Sequence, residues 1–176
     1  MRMIKTVMAG AVAMALISFG ANAANQGQGV VNFKGSVINA PCGIDPDSAD
    51  QTIDFGQISK AHLNNDGISI KKNVDIKLVN CEFGTPATKN TATVTFTGTT
   101  VPGDLNSLGL SNTNAVIKMT GQDGVFVKFD GATPSNATQL QNGNNTLHYQ
   151  AWVQKGAVAV TEGEFTAVAN FALAYN

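Results

Sequence analysis

Apolar residues return at every second position through much of this chain. From Phe165 onward, one face of an extended segment would carry Phe165, Ala167, Ala169, Phe171, Leu173 and Tyr175. The other face would carry Thr166, Val168, Asn170, Ala172, Ala174 and Asn176. A period of two over that length predicts a β-strand with one buried face. The same pattern predicts strands over 30–39, 52–58, 68–81, 92–98, 115–121, 125–131 and 145–156. In the fourth of these eight, counting from the N-terminal end, Val, Thr and Phe alternate; in the third, Ile70, Val74, Ile76 and Leu78 fall on the inner side. Val, Ile, Thr and Phe fill these runs, and Gly, Asn, Asp or Pro bounds them. One short helical turn is predicted over 60–64, and no long amphipathic helix is present in the pattern.

Many short strands separated by turns predict an all-β fold, a sandwich of the immunoglobulin type. The final strand creates a difficulty for that fold. The sequence stops one residue after Tyr175, so no following strand covers Phe171, Leu173 and Tyr175. Such a domain has an apolar groove and a row of unpaired backbone groups, which something else must fill. At the opposite end, the glycine-rich stretch 25–35 has no evident partner. Gly27, Gly29, Val31 and Phe33 share one face of it, with Gln26, Gln28, Val30 and Asn32 on the other. A spare strand at one end and a missing one at the other predict head-to-tail polymerisation.

The first residues change the picture of where the chain works. Arg2 and Lys5 precede an apolar run over 6–20, and Ala21-Asn22-Ala23 supplies small residues before a cut. This three-part pattern reads as a secretory signal peptide over 1–23, cleaved before Ala24, and the run is too short to span a bilayer comfortably. About 150 residues remain, enough for one domain. Removing Arg2 and Lys5 from eleven basic residues leaves nine against twelve acidic ones, a formal charge of −3. No basic block offers itself to nucleic acid, and no second apolar run is long enough to cross a membrane.

Cys42 and Cys81 are the two cysteines of the chain. In an exported protein they are expected to form a disulfide, because the compartment oxidises thiols and no third candidate competes. Two cysteines with the distant His62 and His148 make no metal-ligand cluster. No cofactor motif stands out: Gly27-Gln28-Gly29 is followed by no helix that would cradle a phosphate. The carboxylates of 45–50 lack the glycine and terminal Glu of a calcium loop. Asn136-Ala137-Thr138 and Asn144-Asn145-Thr146 match the glycosylation pattern but read as polar loop residues. Trp152, on an alternating strand with Leu147 and Tyr149, reads as core rather than as a sugar platform.

Taken in order, the extension 26–44, the pair Cys42 and Cys81, Gly163 as fourteenth residue from the end and the penultimate Tyr175 resemble a known family. It is the pilin subunits of chaperone–usher fimbriae, especially the P-pilus-like and type 1 major pilins. The resemblance implies an immunoglobulin-like sandwich lacking its last strand and completed by donor-strand exchange. It implies a donor extension over 24–34 and a pilin domain over 35–176. Gly27, Gly29, Val31 and Phe33 would be the donor residues. Gly163, Phe171, Leu173, Tyr175 and Asn176 would form the acceptor groove and chaperone-binding tail, the Asn176 carboxylate being held by basic residues of the chaperone. A periplasmic chaperone, an outer-membrane usher and further pilin subunits in a homopolymer would be the partners. The product would be a fimbrium at the cell surface that supports adhesion. One departure is that only Ala24 and Asn25 precede Gln26, which makes the leading end of the donor strand short.

One alternative lies within this class and two lie outside it. A minor or adaptor subunit shares the same fold and assembly chemistry and stays open as the alternative. A fimbrial binding module would need an additional N-terminal domain, for which the chain is too short. An enzyme would need a poised nucleophile or a histidine cluster; there is no Gly-x-Ser-x-Gly, and neither histidine has an acid placed nearby in sequence. The chain therefore reads as a non-enzymatic structural subunit.

Overall fold

The computed structural model of the chain describes residues 29–176. The expected signal peptide, its cut before Ala24, and the donor position Gly27 lie outside those residues. Two compact units divide between Ser36 and Val37. In the described part of the first, residues 29–36, no strand or helix forms. Val31 is 73 % and Phe33 92 % exposed. The strand expected over 30–39 therefore has no ladder among the described residues.

The second unit holds ten strands and two single-turn helices. They run β1 (Gly43–Ile44), α1 (Pro46–Ala49), α2 (Lys60–Asn64), β2 (Lys72–Cys81), β3 (Thr91–Gly98), β4 (Thr100–Val101), β5 (Asp104–Gly109), β6 (Ala115–Gly121), β7 (Asp130–Pro134), β8 (Thr138–Gln139), β9 (Gly143–Lys155) and β10 (Ala169–Tyr175). One sheet has the order β1-β2-β9-β6-β5-β4; the other has the order β10-β3-β7, with β8 also paired to β3. Every pairing is antiparallel.

Alternation explains the core. Ile76 and Leu78 of β2, Leu147, Tyr149 and Ala151 of β9 and Met119 of β6 face Ala92, Val94 and Phe96 of β3, and all are buried in one cluster. Phe96 sits at its centre, edge-on to Tyr149 with centroids 5.0 Å apart and to Phe129 at 6.5 Å. Helix α2 falls where the sequence placed a turn. Ser59 caps it by accepting from the His62 N–H, and Leu63 is its buried anchor.

Three expectations need correction. Ile70 was expected inside but is 83 % exposed. Ile68 bridges to Gln154 while Lys72 pairs with Ala151, so four positions on one strand span three on the other. That extra residue is a β-bulge, and it turns Ile70 outward. The stretch 125–131 is not a strand of its own. Val127 and Phe129 are buried one at a time, their N–H groups donating to Met119 and Leu105 carbonyls, and the ladder starts at Asp130. β5 falls outside the strands the pattern predicts, because Asn, Ser and Gly interrupt its apolar spacing; in the structure only its Ser107 and Leu108 are buried.

Asp130 fixes the start of β7. Its carboxylate accepts from the N–H groups of Thr133 and Ala132 and from the Thr133 hydroxyl. Those bonds hold its pKa down from 3.8 to about 2. A depressed carboxylate stabilises the fold fully above its unfolded value and loses that contribution as pH falls through the folded value. Thermal midpoints of parent and Asp130→Ala should therefore differ near neutrality and converge as the pH approaches about 2. A gap that persists there would remove the carboxylate as its source.

Candidate functional site

β10 is an edge strand. On one side it pairs in register with β3, Phe171 opposite Phe96, Leu173 opposite Val94 and Tyr175 opposite Ala92. On the other side no strand follows among the described residues. Phe171, Leu173 and Tyr175 are half-buried, and Ala172 and Ala174 between them are exposed. The inward face packs against the core cluster, with Phe171 6.4 Å from Phe96 between centroids.

Beside this edge runs a groove of about 1510 Å³. Small-molecule pockets hold about 300–1,000 Å³, so the space suits an extended chain better than a compact ligand. Its floor is Ile76, Ile117, Met119, Phe129, Ala151 and Val153, and one wall is the line Phe165–Phe171. The other wall is the segment 50–58. There Gln51, Ile53 and Phe55 are half-buried while Thr52 and Asp54 are exposed, the alternation of a strand. Yet no backbone–backbone hydrogen bond leaves residues 51–58 among the described residues. The strand predicted there has the side-chain pattern without the ladder. Phe55 and Phe165, one from each wall, meet with centroids 6.5 Å apart.

Gly163 stands on the rim. Its φ is +155°, and an added Cβ would lie 3.4 Å from the main-chain oxygen of Asn112. A side chain is disfavoured there by both backbone and space. The rim around it is held by the loop before β6. Ser111 N–H donates to the Thr166 carbonyl, the Asn112 amide to the Glu164 carbonyl, and the Asn114 amide to the Ala159 carbonyl. The Thr113 hydroxyl, on the groove wall, is buried without a hydrogen-bond partner.

Tyr175 lies at the far end of β10. Its hydroxyl is buried and unpartnered, and burial raises its pKa above 10.0. Asn176 is tied down by Thr91, whose N–H and hydroxyl both donate to its main-chain oxygen at 3.1 and 2.9 Å. Cys42 and Cys81 are bonded to each other. The structure thus brings Phe171, Leu173 and Tyr175 onto one edge, with Gly163 at the rim. Gly29, Val31 and Phe33 lie in the other unit.

A family model described as fimbrial protein matches residues 31–176. The chain belongs to the fimbrial protein family. It is a structural pilin subunit and not an enzyme. The KS71A fimbrillin of Escherichia coli is 50 % identical over 190 residues, covering 98 % of this pilin and 100 % of the relative. The Pap fimbrial major pilin protein of Escherichia coli is 47 % identical over 188 residues, with the same coverage. A solved chaperone–usher pilus, described by the molecular basis of its rod uncoiling, is similar with TM-score 0.80 and 45 % identity. That match covers 86 % of this pilin and 97 % of the solved chain.

Reading the sequence alone missed the groove's second wall. Ile53 and Phe55 carry a signal, since they stand two apart within the stretch 52–58 that reads as a strand. The floor residues Ile117, Met119 and Val153 read as ordinary core, and only the sheet order shows them under an open edge. Trp152, expected in the core with Leu147 and Tyr149, is 6 % exposed but belongs to neither core cluster. It lies on the sheet face opposite the groove, since its neighbours Ala151 and Val153 line the groove.

Proposed function

We propose that this pilin builds the shaft of a chaperone–usher fimbria, each copy inserting residues 24–34 into the groove of its neighbour. The observation that carries the reading is the groove itself: an apolar floor, one unpaired strand edge, and a second wall patterned as a strand without partners. An added segment lying between β10 and 51–58 would satisfy both rows of backbone groups at once. Gly27, Gly29, Val31 and Phe33 supply the apolar and small face for it. The exposure of Val31 and Phe33 supports that role, because burying each contributes about 1.5–3 kcal/mol. Before assembly, a periplasmic chaperone would occupy the same edge along Phe171, Leu173 and Tyr175 and engage Asn176. An outer-membrane usher would then exchange it for the next subunit, and the fibre would emerge on the cell surface, where it supports adhesion. The major-pilin relatives favour a shaft role over a minor or adaptor one.

Two substitutions separate the two stages. Among the described residues, no atom beyond its chain neighbours lies within 4 Å of where a Cβ of Gly29 would stand. Gly29→Leu should therefore leave the free subunit unaffected and clash only in a neighbour's groove. Normal subunit levels with several-fold fewer and shorter fibres are expected by electron microscopy. Fibres of parental length and number would remove Gly29 from the donor strand. Tyr175→Ser deletes the ring at the end of the edge strand and should lower the periplasmic subunit level several-fold through poorer chaperone capture. Equal levels on immunoblots would reduce Tyr175 to a packing residue.

The decisive test of the whole reading is electrophoresis of purified fibres after mild heating in detergent. A ladder of multimers that collapses only in strong denaturant is the expected result. A single monomer band would overturn strand donation.

A further inference from the structure

The sandwich opens a second time, at the edge away from the groove. A separate cleft of about 500 Å³ lies there, between the turn after β6 and the segment joining β7 to β8. Its size falls within the range of about 300–1,000 Å³ that small ligands occupy. β6 reaches only to Gly121, opposite Tyr149, so β9 from Gly143 to His148 meets no strand on that side among the described residues. Leu147, His148 and Tyr149 line the cleft. The His148 ring turns away to Asp75, 2.9 Å off, which leaves its main chain facing the space.

The polar groups around the cleft are fixed and have bonding capacity to spare. One oxygen of Asp123 accepts from the Val125 N–H at 2.9 Å, and the other from the Asn136 amide at 2.6 Å. Each oxygen keeps a lone pair, and the Asn136 amide keeps one hydrogen. On the floor, the buried Tyr149 hydroxyl donates to Ser135 Oγ at 3.3 Å, which leaves its own oxygen open as an acceptor. Ser135 is itself held by the Val94 N–H and the Asn136 main-chain oxygen. At the rim, Phe126 is 48 % exposed and is braced by Trp152, with centroids 6.0 Å apart.

We propose that this cleft is a carbohydrate subsite that takes one uncharged sugar residue. Charge narrows the ligand class. Among the side chains that line the cleft, one carboxylate, Asp123, stands against one ammonium, Lys128. An anion would meet the Asp123 carboxylate, and a divalent cation would find a single carboxylate ligand. A wholly apolar ligand would strand the polar groups without partners. A sugar ring carries several hydroxyls that both donate and accept, and a C–H face that packs on an aromatic ring. Asp123 and Asn136 supply an acceptor and a donor side by side, Tyr149 an acceptor below them, and Phe126 an apolar wall. These groups are already held, so binding has little ordering entropy to overcome. One such site is weak. Its effect rests on the shaft reading above, because a shaft repeats the cleft in every copy, and many weak sites on one fibre grip a glycan-coated surface far more tightly than one. The site itself lies within a single copy.

The test is NMR of the subunit saturated with a synthetic peptide of residues 24–34, titrated with glucose, galactose, mannose and N-acetylglucosamine. Glucose 6-phosphate and sialic acid serve as charged probes. At least one neutral sugar should shift the amide signals of residues 121–127 and 133–138, with a dissociation constant of about 1 mM, and leave β10 unmoved. The charged probes should bind several-fold more weakly. Asp123→Asn and Asn136→Ala should each weaken the neutral sugar about ten-fold, since each removes bonding groups from a fixed site. Both side chains are exposed, so neither change threatens the core; if one variant fails to fold, the other carries the comparison. No shift from any neutral sugar, parental affinity in both variants, or equal binding of the charged probes would overturn the proposal. Parent fibres on arrays of animal-cell oligosaccharides and of bacterial surface polysaccharide then identify the source of the sugar, and binding to neither would overturn the role of the repeated site. Failure of the shaft reading shows separately, as a peptide that leaves the β10 signals unmoved whatever the sugar does.

Discussion

Deleting residues 24–33 should leave a subunit that reaches the periplasm at parental level and forms no fibres. In electrophoresis after mild heating, the multimer ladder should collapse to one band. The deletion removes Val31 and Phe33, each contributing about 1.5–3 kcal/mol when buried. It also removes every main-chain hydrogen bond the segment would make, at about 0.5–1.5 kcal/mol apiece. Ordering the extension opposes this by roughly 1–2 kcal/mol per residue, which is why one lost side chain weakens the contact while loss of the whole strand abolishes it. The second unit should not notice the change. Its core cluster is made of residues from Cys42 onward. Fibres of normal length from the deleted chain would show that something other than this extension fills the groove. A deleted subunit that vanished from the periplasm would instead show that the extension serves folding, and the donor role would need testing by Gly29→Leu alone.

How far this was legible in the sequence depends on what each element packs against. β6, β9, β10 and α2 were readable because their own side chains encode a face: Phe171, Leu173 and Tyr175 alternate in sequence and lie half-buried in the structure. The disulfide was readable because two cysteines leave one pairing. Elements defined by their neighbours were not. β5 is recruited by β4 and β6 on each side, and its Asn106 and Ser107 give no strand pattern of their own. Ile70 obeys the alternation in sequence, yet the bulge before Lys72 reverses its direction, and a bulge is invisible until the register of two strands is known. The segment 52–58 is the instructive case. Residues 51–55 alternate in exposure as a strand would, yet no strand forms there among the described residues, and the proposed insertion of a neighbour's segment would supply the missing ladder. The placement of Trp152 was hidden for a similar reason: a lone tryptophan on a strand looks like core until the sheet order shows that its neighbours, not it, face the groove.

Replacing both Cys42 and Cys81 with alanine should have the second large effect. The bond joins positions 39 residues apart. In the chain-entropy account a loop of that length is worth about 4 kcal/mol. Whole domains have only about 5–15 kcal/mol to lose, and one that presents an open groove beside an unpaired edge stands low in that range. For a domain near 150 residues, 4 kcal/mol corresponds to roughly 8–16 °C in thermal midpoint. The location adds a mechanical consequence. The chain passes from the extension through Val37 to Cys42, and the disulfide ties Cys42 to the end of β2, which pairs along β9 in the middle of the sandwich. The Asn145 amide donates to the Cys81 sulfur, and Asn142 accepts from the Phe83 N–H just beyond it, so the anchor is braced on two sides. Any pull on a donated extension therefore enters the domain at its covalent cross-link, and without the bond the two-residue strand β1 would have to bear it. Thermal melts of the subunit saturated with a synthetic peptide of residues 24–34 measure the stability, and single-fibre extension measures the strength. A midpoint within about 2 °C of the parent would show that the bond does not carry the stability, and variant fibres that break at the parental force would show that it does not carry the load.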